Sequence, residues 1–222
     1  MEETRLTTLL LVRHADVHNP NDVIYGRLPR FRLSDLGREQ AARLGAFLAD
    51  EPIAFIYTSP QLRARQTAAH IARHHPDAPI RICSLLAEIL TSWQGTPNSQ
   101  VRPDLNFFAE RRGDRDETLS QVAHRMQRFI RLMAKRHPDQ MVVAVSHGDP
   151  ILVLRLLMTG TEPTLAAMRS GPYPAKASIT RIELCGLDCV LSTQYLEPPA
   201  PPLVSADGSR PAPAHAALTA SR

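Results

Sequence analysis

Short apolar runs alternate along this chain with longer stretches in which apolar side chains recur every three or four positions, a succession of strands and amphipathic helices. The first run, Leu9-Leu10-Leu11-Val12, stops abruptly at Arg13-His14-Ala15-Asp16 and the turn formers Asn19, Pro20 and Asn21, which predicts a buried strand handing Arg13 and His14 to a loop. Pro20, Gly26 and Pro29 argue against helix in the loop at 18–32. Ser34 is placed to cap a helix whose apolar face is Leu36, Leu44, Phe47 and Leu48. Residues 54–58 read as a second strand, and Ser59-Pro60 as the N-cap and first-turn proline of a helix to His74. Residues 80–83 make a short third strand, followed by Leu85-Leu86-Ala87-Glu88.

Residues 90–116 lack periodicity and are rich in Gly, Pro, Asn and Asp, which predicts an irregular excursion, with a short helix at 105–110, forming a lid or wall of a site. Leu119, Val122, Met126, Phe129, Ile130 and Met133 then mark an amphipathic helix ending before Pro138. The apolar run at 141–145 closes on Ser146-His147-Gly148-Asp149, and Pro150 opens a helix through Met158. Residues 177–184 and 189–195 form a terminal hairpin about Gly186-Leu187-Asp188. This order predicts the α/β class, with a mostly parallel central sheet, helices on both faces and a terminal antiparallel hairpin.

The 222 residues suit one domain over 1–196, and the Pro/Ala-rich stretch at 197–222 reads as a disordered tail. No apolar run reaches the roughly 20 residues of a membrane span, and Met1-Glu2-Glu3-Thr4-Arg5 lacks the basic region of a signal peptide; the expectation is a cytoplasmic protein with no membrane partner. The net charge of +4 is scattered, so nucleic acid is not expected either. All but two of the 26 basic residues are arginines, the exceptions being Lys135 and Lys176, and the arginine fork suits phosphate. Cys83, Cys185 and Cys189 lack metal-ligand spacing and read as reduced and structural. His70, His74, His75, His124 and His137 fall within or at the ends of helices and read as exposed.

Arg13-His14, Ser59 to Ala64, the stretch around Glu88, and Ser146-His147-Gly148 each lie just past a strand's C-terminal end, where open parallel sheets bind ligands. Two histidines, two arginines and a carboxyl suit phosphoryl transfer through histidine: an imidazole attacks phosphorus, cations neutralise the equatorial oxygens, and the carboxyl protonates the leaving oxygen. Zinc is the rival use of histidines, but no His pair at helical spacing accompanies a Glu and no cysteines are paired for it; neither metal nor cofactor is expected.

These residues resemble a known family. Arg13-His14-Ala15 resembles the Arg-His-Gly signature of the histidine phosphatase superfamily, Ser59-Pro60-x-x-Arg63-Ala64-x-x-Thr67-Ala68 its second motif, and Ser146-His147-Gly148 its third. The resemblance implies a phosphoglycerate mutase-like three-layer sandwich, His14 as the phosphorylated nucleophile, Glu88 as the acid, and Arg13, Arg63, His147 and Gly148 around the phosphate. Ala15 and Val17 depart from the pattern, Trp93-Gln94-Gly95 comes one residue early, and Asn19 lies one position before the usual phosphate-binding Asn. Asn19 and, from the overhanging loop, Arg27 are the further candidates for binding the substrate. Asp16 and Glu117 stand as alternatives to Glu88. The implied function is a metal-independent phosphatase acting on a small phosphorylated metabolite. Its alternatives are a phosphoglycerate mutase with the same residues, or a weakly active phosphate-binding regulatory module. A homodimer is compatible with this reading.

Overall fold

Strand β1 (Thr7–Arg13) is wetted on neither side: Leu9 and Leu11 enter one hydrophobic core, Leu10 and Val12 the other, and none is more than 2% exposed. A strand buried on both faces needs no polar alternation, which is why it reads as one apolar run. The computed structural model describes residues 6–102, 104–187 and 189–199, and within them β1 lies inside a six-stranded sheet of order β3-β2-β4-β1-β5-β6. Strands β3 (Ile80–Ile82), β2 (Ile53–Thr58), β4 (Met141–Ser146) and β1 run parallel. Strands β5 (Ile179–Leu184) and β6 (Val190–Leu196) continue the sheet antiparallel, as the expected hairpin.

Helices α1 (Asp35–Phe47) and α2 (Leu62–Ala72) cover the face of Leu10 and Val12 through Ala41, Leu44, Ala68 and Ile71. Helices α3 (Leu119–Arg136) and α4 (Gly148–Met158) cover the other through Met126, Phe129, Val153 and Leu154, and a short α5 (Leu165–Arg169) follows. The expected α/β architecture with helices on both faces is therefore observed. No described helix is long and apolar enough to cross a membrane. Residues 200–222, most of the expected tail, lie outside the described residues.

The register of the parallel strands aligns their ends. Arg13 pairs with Ser146 and Thr58 with Val145, and the ladder continues one step beyond, His14 N–H donating to the Ser146 carbonyl at 3.0 Å and Ser59 N–H to the Val145 carbonyl at 2.9 Å. The three motifs thus leave the sheet side by side.

Several local expectations are corrected. Leu36 is 52% exposed, because α1 turns Gly37, Ala41, Leu44 and Gly45 inward instead. Gln61, not Ser59, occupies the N-cap of α2, and α4 starts at Gly148 with His147 as its N-cap. Around 105–110 there is no helix, only a turn in which the Asn106 carboxamide oxygen accepts from the Phe108 and Ala109 N–H groups. His137 and His75 are buried; the Tyr57 hydroxyl meets His137 Nε2 at 2.9 Å, and its Nδ1 lies 2.8 Å from Gln140. Cys185 and Cys189 form a disulfide, since the hairpin sets them opposite each other with Cα atoms 5.1 Å apart and Cys185 N–H donating to the Cys189 carbonyl. Cys83 remains a free thiol.

One glycine ties this scaffold to the loop after β1. Ser34 caps α1 by accepting from Gly37 N–H and donates its own hydroxyl to the Asp16 carboxylate at 2.6 Å, and a Cβ on Gly37 would overlap the Asp16 carbonyl. Gly37→Ala should lower the urea midpoint without changing m, a loss of about 1–3 kcal/mol from overpacking against backbone.

Candidate active site

Arg63 stands in the first turn of α2 with its guanidinium entirely buried among groups from four other segments. Its Nε donates to His14 Nε2 at 3.2 Å, and its Nη2 donates to the Gly26 carbonyl at 2.9 Å and to His147 Nδ1 at 3.0 Å. The Tyr25 ring closes over it, 4.6 Å from the guanidinium carbon. These bonds assign both tautomers. His14 Nδ1 donates to the Ala15 carbonyl at 2.7 Å, leaving Nε2 with its lone pair toward Arg63. His147 donates from Nε2 to Ser59 Oγ at 2.7 Å and Gln61 Oε1 at 3.1 Å.

Burial is the first cause that holds both imidazoles well below the usual histidine range, followed for His14 by Lys176 and Arg63 and for His147 by Arg63 and Arg125. At neutral pH both rings are uncharged. The carboxylate of Glu88 comes within 3.6 Å of His147 Nδ1 and 3.8 Å of Arg63 Nη2. Its pKa is pushed up to about 7 by burial first and then by Asp149, against the pull of Arg63. His14, Glu88 and His147 could by spacing ligate a cation, their donor atoms lying within 4.8 Å of one another. Both imidazole lone pairs, however, are directed at the permanent positive charge of Arg63, so a metal would have to displace a guanidinium.

The Glu88 segment is fixed from several sides. Arg27 Nε donates to the Glu88 carbonyl at 2.6 Å, Ser146 Oγ to the Leu86 carbonyl at 2.8 Å and Arg125 Nη1 to the Leu85 carbonyl at 2.7 Å. Glu117 gathers the braces: its carboxylate accepts from Leu90 N–H at 2.9 Å, Arg27 at 2.7 Å and Arg125 at 2.9 Å. Thr118 beside it caps α3 through a full capping box with Gln121.

Arg13 stacks 4.7 Å from the Tyr173 ring and donates to the Pro174 carbonyl, while its Nε is buried without a hydrogen-bond partner. The Tyr173 hydroxyl donates to Asp149 at 2.8 Å, crossing the space that a Cβ on Gly148 would fill. Beyond lies a cleft of about 270 Å³, lined by Arg13, Tyr25, Glu88, Phe107, Asp149 and Tyr173 among others. Phe107 comes from the irregular excursion, and Trp93 packs behind it with ring centroids 6.2 Å apart.

Of the residues singled out in sequence, Arg13, His14, Arg63, Glu88, His147 and Gly148 converge here. Arg27 is committed to Glu117 and the Glu88 carbonyl, and both Asn19 side-chain atoms are used by Val23, at 2.9 and 3.2 Å. Ala15 is fully buried, its N–H donating to Thr67 Oγ1 at 3.1 Å, so its methyl belongs to the core. Gln61, Tyr25, Asp149, Tyr173 and Lys176 join the site without having been read as candidates. Gln61 and Asp149 lie within or directly after motifs read in the sequence, and Lys176 stood out as one of two lysines in an arginine-rich chain.

Residues 9–194 match the description of the histidine phosphatase superfamily, branch 1. The chain belongs to that superfamily. This histidine phosphatase is 35% identical over 161 residues to the uncharacterized protein Rv0525 of Mycobacterium tuberculosis, covering 69% of this chain and 79% of that one. It is 30% identical over 166 residues to phosphoserine phosphatase 1 of Hydrogenobacter thermophilus, covering 71% and 78%. Among solved structures it superposes on Bacillus stearothermophilus YhfR with a TM-score of 0.71 and 29% identity, over 80% of this chain and 91% of that one. Family and relatives make the chain an enzyme of phosphatase type.

The Glu117 hub offers a test of how the site is held. Glu117→Gln should leave one buried guanidinium, Arg125, and one half-buried one, Arg27, short of a counter-charge and cost on the order of 2–4 kcal/mol in chemical unfolding. Hydrogen exchange should show the Leu90 amide losing protection in the same variant.

Proposed function

We propose that the protein hydrolyses small phosphomonoesters without a metal, through a phosphohistidine at His14 with Glu88 as proton donor. The observation that carries this reading is the His14 Nε2 lone pair, aimed by the Nδ1–Ala15 bond into a cluster of Arg13, Arg63 and His147. In the first step Nε2 attacks phosphorus in line. The P–N bond forms as the P–O ester bond breaks, the Glu88 proton passes to the leaving oxygen, and Arg63 exchanges imidazole acceptors for phosphoryl oxygens. The unpartnered Arg13 Nε supplies a further donor. In the second step Glu88 takes a proton from water as its oxygen attacks phosphorus, the P–N bond breaks, and the electron pair returns to Nε2.

Hydrolysis is favoured over return of the phosphoryl group to a sugar acid by the phosphatase names among the relatives. Phosphoserine is a reasonable first substrate on the same ground, since the Hydrogenobacter thermophilus relative carries that name. A panel of phosphomonoesters including phosphoserine and 3-phosphoglycerate, assayed for free phosphate and for isomer with chelator present, tests the reading. Phosphate release that survives chelation and is abolished in His14→Ala supports it; isomer without net phosphate identifies a mutase, and phosphate binding without turnover a regulatory module.

Glu88 yields an expectation with a defined sign. Its folded pKa of about 7 exceeds the ordinary 4.5, so between those values the folded chain keeps a proton that the unfolded chain sheds. Stability therefore falls as pH rises through that window, and turnover falls as pH passes about 7 and the donor is lost. Glu88→Gln should slow hydrolysis at least about tenfold, within the reach of general acid catalysis. It should also be more stable than the parent at pH 8 by roughly 1–3 kcal/mol, a difference that vanishes near pH 4.5.

A further inference from the structure

Lys176 reaches the site from the segment that leads into β5. Its Nζ donates to the Tyr25 hydroxyl at 3.1 Å, and the Tyr25 ring it holds is the one stacked on Arg63 at 4.6 Å and set edge-on to His14 at 6.4 Å. The backbone that presents it is strained: Ala177 has φ +60°, a left-handed conformation that a residue with a Cβ seldom adopts, and its N–H donates to the Arg13 carbonyl at 3.1 Å. Strain of this kind persists where surrounding structure enforces it, and here it is enforced by the end of β1 that carries the nucleophile.

We propose that Lys176 serves the phosphoryl-transfer site in two ways, seating Tyr25 over Arg63 as a positioning residue and offering its ammonium group to an incoming phosphate dianion as a binding residue. This rests on the phosphohistidine reading above. The charged and titratable groups around Lys176 are Arg13 and His14 at the end of β1, Asp16 and Tyr25 in the loop after it, Arg63 in α2, Glu88, and His147 before α4. Burial first, then Arg13 and Arg63, bring its pKa down to about 7, while Asp16 and Glu88 pull the other way. In the resting site Lys176 thus gives up its proton far more readily than a solvated lysine, and a bound dianion would retain it. Arginine already provides the permanent charge at this site; a lysine adds one that depends on the ligand.

The test is calorimetric binding of inorganic phosphate, with turnover of p-nitrophenyl phosphate, across the neutral to alkaline range in the parent, Lys176→Met, Lys176→Arg, Tyr25→Phe and His14→Ala. Lys176→Met should weaken phosphate binding about tenfold or more, the scale of a charge-assisted hydrogen bond. Lys176→Arg should restore binding to within about threefold and, carrying a charge that does not titrate, reduce the alkaline loss of affinity to the part that the ionisation of Glu88 causes. Tyr25→Phe should lower kcat/KM while keeping that alkaline loss. Unchanged phosphate affinity in Lys176→Met, or Lys176→Arg no better than Lys176→Met, overturns the proposal. Should Lys176→Met not fold, a Lys176→Arg profile identical to the parent's overturns it equally. Turnover in His14→Ala equal to the parent's would instead overturn the phosphohistidine reading, and the binding measurements would still decide the role of Lys176.

Discussion

A guanidinium almost wholly withdrawn from water needs acceptors inside the protein, and Arg63 Nε and Nη2 find them in two imidazoles and the Gly26 carbonyl. That requirement organises the site. Neither histidine can turn its lone pair elsewhere without stranding a buried charge, a change costing several kcal/mol. Neither can accept a proton readily, since burial and the neighbouring cations oppose it. The same contacts therefore fix the orientation, tautomer and charge of His14, which are the properties that decide whether an imidazole nitrogen is nucleophilic.

Around this cation, carboxylates are sorted by environment. Glu117 sits between Arg27 and Arg125 with its charge compensated, and serves as a fixed anchor for the chain that bears Glu88. Glu88 itself is withheld from such compensation, with Arg63 at 3.8 Å and the Asp149 carboxyl raising its proton affinity. Two glutamates connected through the Leu90 N–H thus take different places, one an anchor between two arginines, the other a buried carboxyl whose proton affinity is raised. Arg27, read in sequence as a substrate contact, also braces the Glu88 segment through Glu117 and the Glu88 carbonyl.

The sheet was legible because its strands are buried on both faces, so β1 and β4 stand out as apolar runs whose ends carry the motifs. The placement of Arg13, His14, Arg63, Glu88 and His147 in one cluster followed from that topology. Finer features were hidden because they depend on partners distant in sequence. Gln61 gives its side chain to Ser59 and His147 instead of capping α2, Leu36 is turned out because α1 packs on its small residues, and the Cys185–Cys189 pair is made by a hairpin's register. Asn19 shows the converse: its composition suits phosphate, but the local loop takes both of its side-chain atoms.

The glycine of the third motif connects these observations to how such a site can diverge. Gly148 leaves room for Tyr173 to reach Asp149, and that hydrogen bond favours the charged form of the carboxyl that raises Glu88. A change in the loop that carries Tyr173 would remove the hydrogen bond that favours the charged form of Asp149 and so bear on the proton affinity of Glu88, with no substitution in any of the three motifs. The loop that bears Tyr173 is thus tied to the buried carboxyls of the site through a single hydrogen bond, outside the motifs themselves.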